Sequence, residues 1–356
     1  MASLNSLPDL VLVEIFSLLP ERERVRNSRV CRRWKRLLRD PSVWRHADLP
    51  LQEVRFKIIW HVLRRYIRSN LQSLSLQGYV QSKSMLCSTF HSIQPEFFQV
   101  LSKKCFRLQR LSIRLAELLS IPMASLPRTL RRLELLSCDI SLVWMACKED
   151  EGALPHLEEL VLDHVPTFHD RHLLRLRCFP ALCSLFLCGT YGITQEGLDS
   201  GLRELSHLQR IEILGSYIST DSALQSISRH LRDVRHIRVT VGTLTATGLE
   251  ALEGLPKLAS LCLFSKCGTD ELCLIPFAAL LSSCLTLPRL RVLELQGQGW
   301  EGQEAESMLK EVHGQGEGTC PSWHIGTSLT LHFLGDWISC STLPVMMPGL
   351  FKVFSQ

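Results

Sequence analysis

Side chains able to bind a metal or move protons are sparsely clustered in this 356-residue chain. The densest group is Asp163-His164 with His169-Asp170-Arg171-His172, which offers imidazole and carboxylate donors. His164 falls in the turn after a leucine-bearing strand and the others in a loop, so no regular spacing converges them. Cys183/Cys188 and Cys262/Cys267 are each separated by four residues. A structural zinc site needs a closed four-ligand set. Cys183 and Cys188 belong to one strand-and-turn unit, and no second cysteine pair supplies the other half. Cys138, Cys188 and Cys267 read as turn residues and small hydrophobes. The sequence contains neither a glycine-rich phosphate loop nor a nucleophile elbow. The expectation is a chain with no catalytic residue, no metal and no cofactor.

Charge offers a second chemistry. Arg22, Arg24, Arg26, Arg29, Arg32, Arg33, Lys35, Arg36 and Arg39 place nine cations within eighteen residues. A basic helix after a short turn is one way into a DNA groove. Against this, Val30, Cys31 and Trp34 form a packing stripe, and no second basic module or dimer seam accompanies it. The net charge of the whole chain is only +5. The arginines therefore read as a solvated face steering towards an acidic partner, not nucleic acid.

The elements that must position these groups are built from leucine. It occupies 66 of 356 positions, and 46% of the chain is hydrophobic, which excludes wholesale disorder. No apolar run reaches the roughly 18 residues of a membrane span, so no membrane is expected. From residue 71 an apolar-x-x-apolar-x-apolar unit recurs nine times, at Leu71, Leu108, Leu130, Leu157, Leu182, Leu208, Val234, Leu258 and Leu290. Six of the eight spacings fall between 22 and 27 residues, inside the range of leucine-rich repeats. Stretches such as 194–205 and 221–230 read as helices between the strands. One such unit is too small to bury its own leucines, so neighbours must stack. The expected fold is α/β, a leucine-rich-repeat solenoid forming a horseshoe with an inner parallel sheet and outer helices. Residues 80–95 read as a surface loop and 268–288 as an enlarged helical connection. Residues 312–356 abandon the pattern and form an atypical C-terminal tail.

Period-2 alternation turns the residues between the apolar anchors towards solvent. Specificity is expected there, at Arg110, Arg132, Glu134, Glu159, Phe186, Arg210, Glu212, Leu214, Arg238 and Phe264. Phe186, Leu214 and Phe264 stand where polar residues are the rule and are candidate hot spots. The alternating Arg and Glu residues fit either substrate contact or cross-strand pairing with each other.

Before the repeats, residues 9–19 read as a helix ended by Pro20. Residues 21–39 read as a second helix, 42–48 as a third short segment, and 53–68 as a basic amphipathic helix. The run Leu7-Pro8-Asp9-Leu10-Val11-Leu12-Val13-Glu14-Ile15-Phe16-Ser17-Leu18-Leu19-Pro20 precedes Ser28-Arg29-Val30-Cys31-Arg32-Arg33-Trp34 and Trp44. This pattern resembles the F-box, and with the repeats behind it the chain resembles the F-box and leucine-rich-repeat family. The resemblance implies a three-helix F-box over 1–49, a linker helix over 50–70 packing on the first repeat, and repeats over 71–311. It also implies docking onto the adaptor subunit of an SCF (cullin-RING) ubiquitin ligase, and through it onto the cullin scaffold and RING subunit. The adaptor contacts it implies are Leu7, Pro8, Leu12, Ile15, Phe16, Leu19, Pro20, Val30, Cys31, Trp34 and Trp44. A chain of this kind recruits a protein substrate for ubiquitination and is not itself an enzyme. The alternative is a repeat scaffold outside any ubiquitin pathway. The opening Met1-Ala2-Ser3-Leu4-Asn5 has no basic start or apolar core, and fourteen cysteines accompany it. The expectation is reduced thiols in cytoplasm or nucleus.

Overall fold

The computed structural model describes residues 4–50, 56–67, 69–78, 93, 95–141, 144–145, 154–242, 244–265, 277–296, 327–334 and 337–344. Most of the expected loop at 80–95, the Cys267 turn and all of the tail except 327–334 and 337–344 lie outside them. The chain divides into two compact units, Met1–Gly192 and Ile193–Gln356.

The first unit opens with α1 (Asp9–Ser17), α2 (Glu21–Asn27), α3 (Arg32–Leu37) and a 3-10 turn at Pro41–Trp44. The strand β1 (His46–Pro50) and helix α4 (Phe56–Arg65) follow. Next come β2 (Ser73–Gln77), α5 (Pro95–Lys104), β3 (Arg110–Arg114) and β4 (Arg132–Leu136). The unit ends with β5 (Glu159–Asp163), α6 (Asp170–Arg175) and β6 (Ser184–Cys188). β1 to β6 pair in sequence order, all parallel and in register.

The second unit contains α7 (Gln195–Arg203), β7 (Arg210–Leu214), α8 (Thr220–His230), β8 (His236–Val241), α9 (Ala246–Glu253) and β9 (Ser260–Ser265). It continues with α10 (Phe277–Leu285), β10 (Val292–Gln296), β11 (Thr327–Leu334) and β12 (Trp337–Pro344). β7 to β10 are parallel, whereas β11 and β12 add antiparallel. Part of the tail thus extends the sheet.

The leucine pattern maps directly onto the core. Every apolar triplet is buried, from Leu71, Leu74 and Leu76 at β2 to Leu290, Leu293 and Leu295 at β10. Each such side chain stabilises the fold by roughly 1.5–3 kcal/mol once its neighbour covers it. Strands end in a repeated left-handed turn, at Leu115, Ser137 and His164 in the first unit (φ 51, 52 and 51°). Those N–H groups donate to the last carbonyl of the next strand, at Leu136, Asp163 and Cys188. Helices α7 and α8 are capped by hydroxyls: Thr194 accepts from the Gly197 N–H at 3.0 Å and Ser219 from the Ser222 N–H at 3.2 Å. A helix covers 277–285, within the expected helical connection.

Two expectations are corrected. The helix expected over 21–39 is two helices, broken at 28–31. Cys31 is extended (φ −153°, ψ 169°), and its sulfur accepts the Trp34 N–H, so it caps α3 instead of sitting inside a continuous helix. The third helical segment expected at 42–48 is one 3-10 turn that runs into β1. Ala47 and Leu49 point into the core from β1 and align with Leu74 and Leu76.

Candidate partner-binding site

The small helical module is organised around a buried arginine. Arg24 is only 6% exposed. Its guanidinium donates to the carbonyls of Leu19 (2.7 Å), Ser17 (2.8 Å), Val43 (2.9 Å) and His46 (3.1 Å). It thereby satisfies the last carbonyls of α1, where the helix dipole is negative, and ties α1 to the 3-10 turn and β1. The ring of Trp44 lies 5.4 Å from the guanidinium. Burial pushes the Arg24 pKa down, against the opposing pull of Glu21. Pattern reading placed this residue on a solvated face. No local signal distinguishes it from its neighbours, because its acceptors come from three other elements.

Around Arg24 the module closes its own core. Phe16 meets Trp34 edge-on at 5.1 Å, and Trp44 donates its indole N–H to the Leu38 carbonyl at 2.8 Å. Leu12, Phe16 and Trp44 are all buried. Of the residues expected to contact the adaptor, these three lie inside the module and hold it together. At the joint, the Tyr66 ring meets Trp44 at 5.3 Å, tilted by 33°, and its hydroxyl lies 3.0 Å from Ser28 Oγ. Trp60 of α4 meets Phe97 of α5 at 6.0 Å. α4 is therefore wedged between the module and the first repeats.

The opposite side of α1 is greasy and uncovered. Leu10 is 84% exposed and Leu18 81%, with Val11 also exposed. Pro8 and Pro20 are exposed at the helix ends, and Leu7, Ile15, Leu19 and Trp34 are half-buried. Val30 and Cys31 are exposed in the α2–α3 turn, with Val30 at 62%, and do not form the packing stripe expected of them. Leu10, Val11 and Leu18 were missed by sequence reasoning. The available signal was that α1 is apolar at six of its nine positions, more than one core face requires. Asp9 sets the orientation of this helix. Its carboxylate accepts from Arg33 Nε at 2.8 Å and Arg36 Nη2 at 2.7 Å, while Arg33 also donates to the Leu7 carbonyl at 2.6 Å. The Arg33 hydrogen bond, above all, holds the Asp9 carboxyl below its ordinary range. Between α2, α3 and α4 lies a groove of about 680 Å³. Arg29, Arg32, Lys35, His61 and Arg65 line it, with no acid among the lining residues.

On the strand faces, charge pairing is extensive. Arg132 binds Glu134 and Glu159 at 2.6 Å each. Arg238 lies 3.7 Å from Glu212. Arg110 and Arg210 are exposed and have no acidic partner among the described residues. Phe186, in register with Val161, is half-buried in the first unit. Leu214 and Phe264 are half-buried in the second.

The histidine cluster separates into two fates. His172 is buried. Its Nδ1 accepts the His169 N–H at 3.3 Å, which makes Nε2 the protonated nitrogen, donating to the Ser141 carbonyl at 3.1 Å. The neutral ring therefore completes a cap, and burial lowers its pKa. Asp163 and His164 instead sit beside Cys188. Burial raises the thiols of Cys105 and Cys138 to about 11, and those of Cys262 and Cys284 to about 12. They stay protonated at neutral pH and are poor nucleophiles.

A sequence model of the F-box-like family matches residues 4–50, the span containing this module. Over 310 residues the chain is 54% identical to F-box/LRR-repeat protein 12 of Homo sapiens, covering 87% of this chain and 93% of that protein. The Mus musculus protein gives the same identity and coverage. The Bos taurus protein is 53% identical over 312 residues, 87% of this chain and 94% of the relative. The chain belongs to the F-box/LRR-repeat family. Within that family it is similar to F-box/LRR-repeat protein 12.

Proposed function

We propose that this chain is the substrate-recognition subunit of an SCF (cullin-RING) ubiquitin ligase. The F-box, residues 1–49, docks on the adaptor subunit and reaches the cullin and RING subunits through it. The helix in 50–70 transmits that anchorage to the repeats of 71–311, and the strand faces hold a protein substrate for ubiquitination and degradation. Residues 312–356 are an atypical terminal segment. The chain contributes no chemistry of its own. Its contribution is proximity, which turns transfer to a substrate lysine into an effectively intramolecular step.

One observation carries this reading. Within the residues that match the F-box-like family, α1 leaves Leu10, Val11 and Leu18 uncovered. Large apolar side chains left exposed together on a small module, here around the exposed Glu14, are a liability unless a partner covers them. The groove lined by Arg29, Arg32, Lys35 and Arg65 suits an acidic partner surface beside it. Cys31, Cys178 and Cys183 form no disulfide among the described residues, which fits a reducing compartment, cytoplasm or nucleus. The test is co-purification of the full chain with the ligase subunits. Replacing Leu7, Pro8 and Ile15 by alanine abolishes recovery of the adaptor and cullin while the repeats stay folded. Undiminished recovery refutes the proposal.

A further inference from the structure

Asp163, His164 and Cys188 bring a carboxylate oxygen, an imidazole nitrogen and a thiol sulfur within 4.8 Å of one another. Strand register is the cause. Asp163 and Cys188 are partners at the ends of β5 and β6, so their side chains stand on the same face, one strand spacing apart. His164 follows Asp163 in the left-handed turn (φ 51°), and its N–H donates to the Cys188 carbonyl at 2.8 Å. This bond fixes the turn to the end of β6. The imidazole then lies over Gly189, where an added Cβ would stand 3.0 Å from the ring carbon Cδ2. Glycine at that position, with φ +58°, is what leaves room for the ring. The ring Nδ1 lies 2.5 Å from Asp163 Oδ1.

The arrangement is local to this one turn of the first unit. The same row of the ladder holds Gln77, Arg114 and Leu136 on the preceding strands. The equivalent left-handed positions there are Leu115 and Ser137. None of these sets combines nitrogen and sulfur donors. The core beneath is carried by Leu160, Leu162, Leu185 and Leu187, so packing does not require the three polar side chains above it.

We infer that Asp163, His164 and Cys188 bind a divalent cation of the zinc class, with thiolate, imidazole and carboxylate as three ligands and water as the fourth. Mixed sulfur, nitrogen and oxygen donors select a borderline-soft ion, whereas calcium and magnesium demand oxygen throughout. Bonds of about 2.0–2.3 Å place tetrahedral ligands about 3.3–3.7 Å apart. The three donor atoms already lie within 4.8 Å of one another, so modest side-chain rotation brings them to that spacing. His164 is exposed, so an ion reaches the site directly from solvent. Cys188 binds as the thiolate, and uptake releases its proton.

The probe is cobalt(II), titrated into the freshly reduced full chain and followed by its thiolate charge-transfer absorption, then displaced with zinc. Thirteen further cysteines, from a total of 14, make the comparison between variants decisive. The wild-type chain binds one more equivalent than Cys188→Ser, and affinity falls at least tenfold in His164→Asn and in Asp163→Asn. Asparagine tolerates the left-handed turn, so His164→Asn keeps the fold even if another variant loses it. Equal cobalt uptake by wild type and His164→Asn overturns the assignment, as does the absence of any sulfur-to-cobalt band.

Discussion

Replacing Arg24 by methionine isolates the device that holds the F-box together. The substitution keeps the apolar stem against Trp44 but removes donors to the carbonyls of Ser17, Leu19, Val43 and His46. A hydrogen bond to a charged group contributes about 1.5–3 kcal/mol net, so four would sum to about 6–12 kcal/mol. Desolvating the guanidinium costs several kcal/mol, and its lowered pKa shows the direction of that penalty. With that penalty at about 3–5 kcal/mol, the difference leaves a destabilisation of about 1–9 kcal/mol, a large part of the stability of a typical domain at its upper end. The assay is urea unfolding of the full chain, monitored at the tryptophans, Trp34 and Trp44 of the module among them. Arg24→Met shifts the module's transition to lower urea. Arg24→Lys recovers less than half of the loss, because one ammonium cannot reach carbonyls on three elements. A change below about 1 kcal/mol for Arg24→Met refutes the argument.

Two other outcomes follow from the geometry. His172 binds a proton less readily when folded than unfolded, because burial lowers its pKa. Its neutral form therefore costs nothing above about pH 6.5, and stability falls as pH drops below that value. In His172→Gln the loss of thermal stability between pH 7.5 and 5.5 is smaller; an unchanged loss removes the assignment. On the strand faces, Phe186→Ala or Arg238→Glu weakens substrate capture tenfold or more in a reconstituted ubiquitination assay and leaves adaptor binding intact. Unaffected turnover for both excludes those faces as the substrate site.

The repeats were readable because burial demands the same apolar triplet on every strand, and the longer connections at 80–95 and 268–288 change only the distance between triplets. All nine triplets reached the core. The break between α2 and α3 was hidden for a related reason. Ser28-Arg29-Val30-Cys31 contains neither glycine nor proline, so the helical pattern reads straight through it. β1 offers only Ala47 and Leu49 as alternating anchors, too short a signal beside Trp44. Arg24, two of whose four acceptors are Val43 and His46, and the pairing of Arg132 with Glu159 depend on partners about 20–30 positions away, which spacing within one element does not reveal. On α1 the family pattern marks the important helix but not which side faces outward. Leu12 and Phe16 went to the core, and Leu10 and Leu18 to solvent.

The most direct measurement is the dissociation constant of the purified full chain for the SCF adaptor, for wild type and for the double variant Leu10→Asp, Leu18→Asp. Both side chains are more than four-fifths exposed, so the variant leaves the unfolding temperature unchanged. Covering the two leucines contributes about 3–5 kcal/mol to docking, and their loss weakens binding at least a hundredfold. A dissociation constant within twofold of wild type contradicts the account.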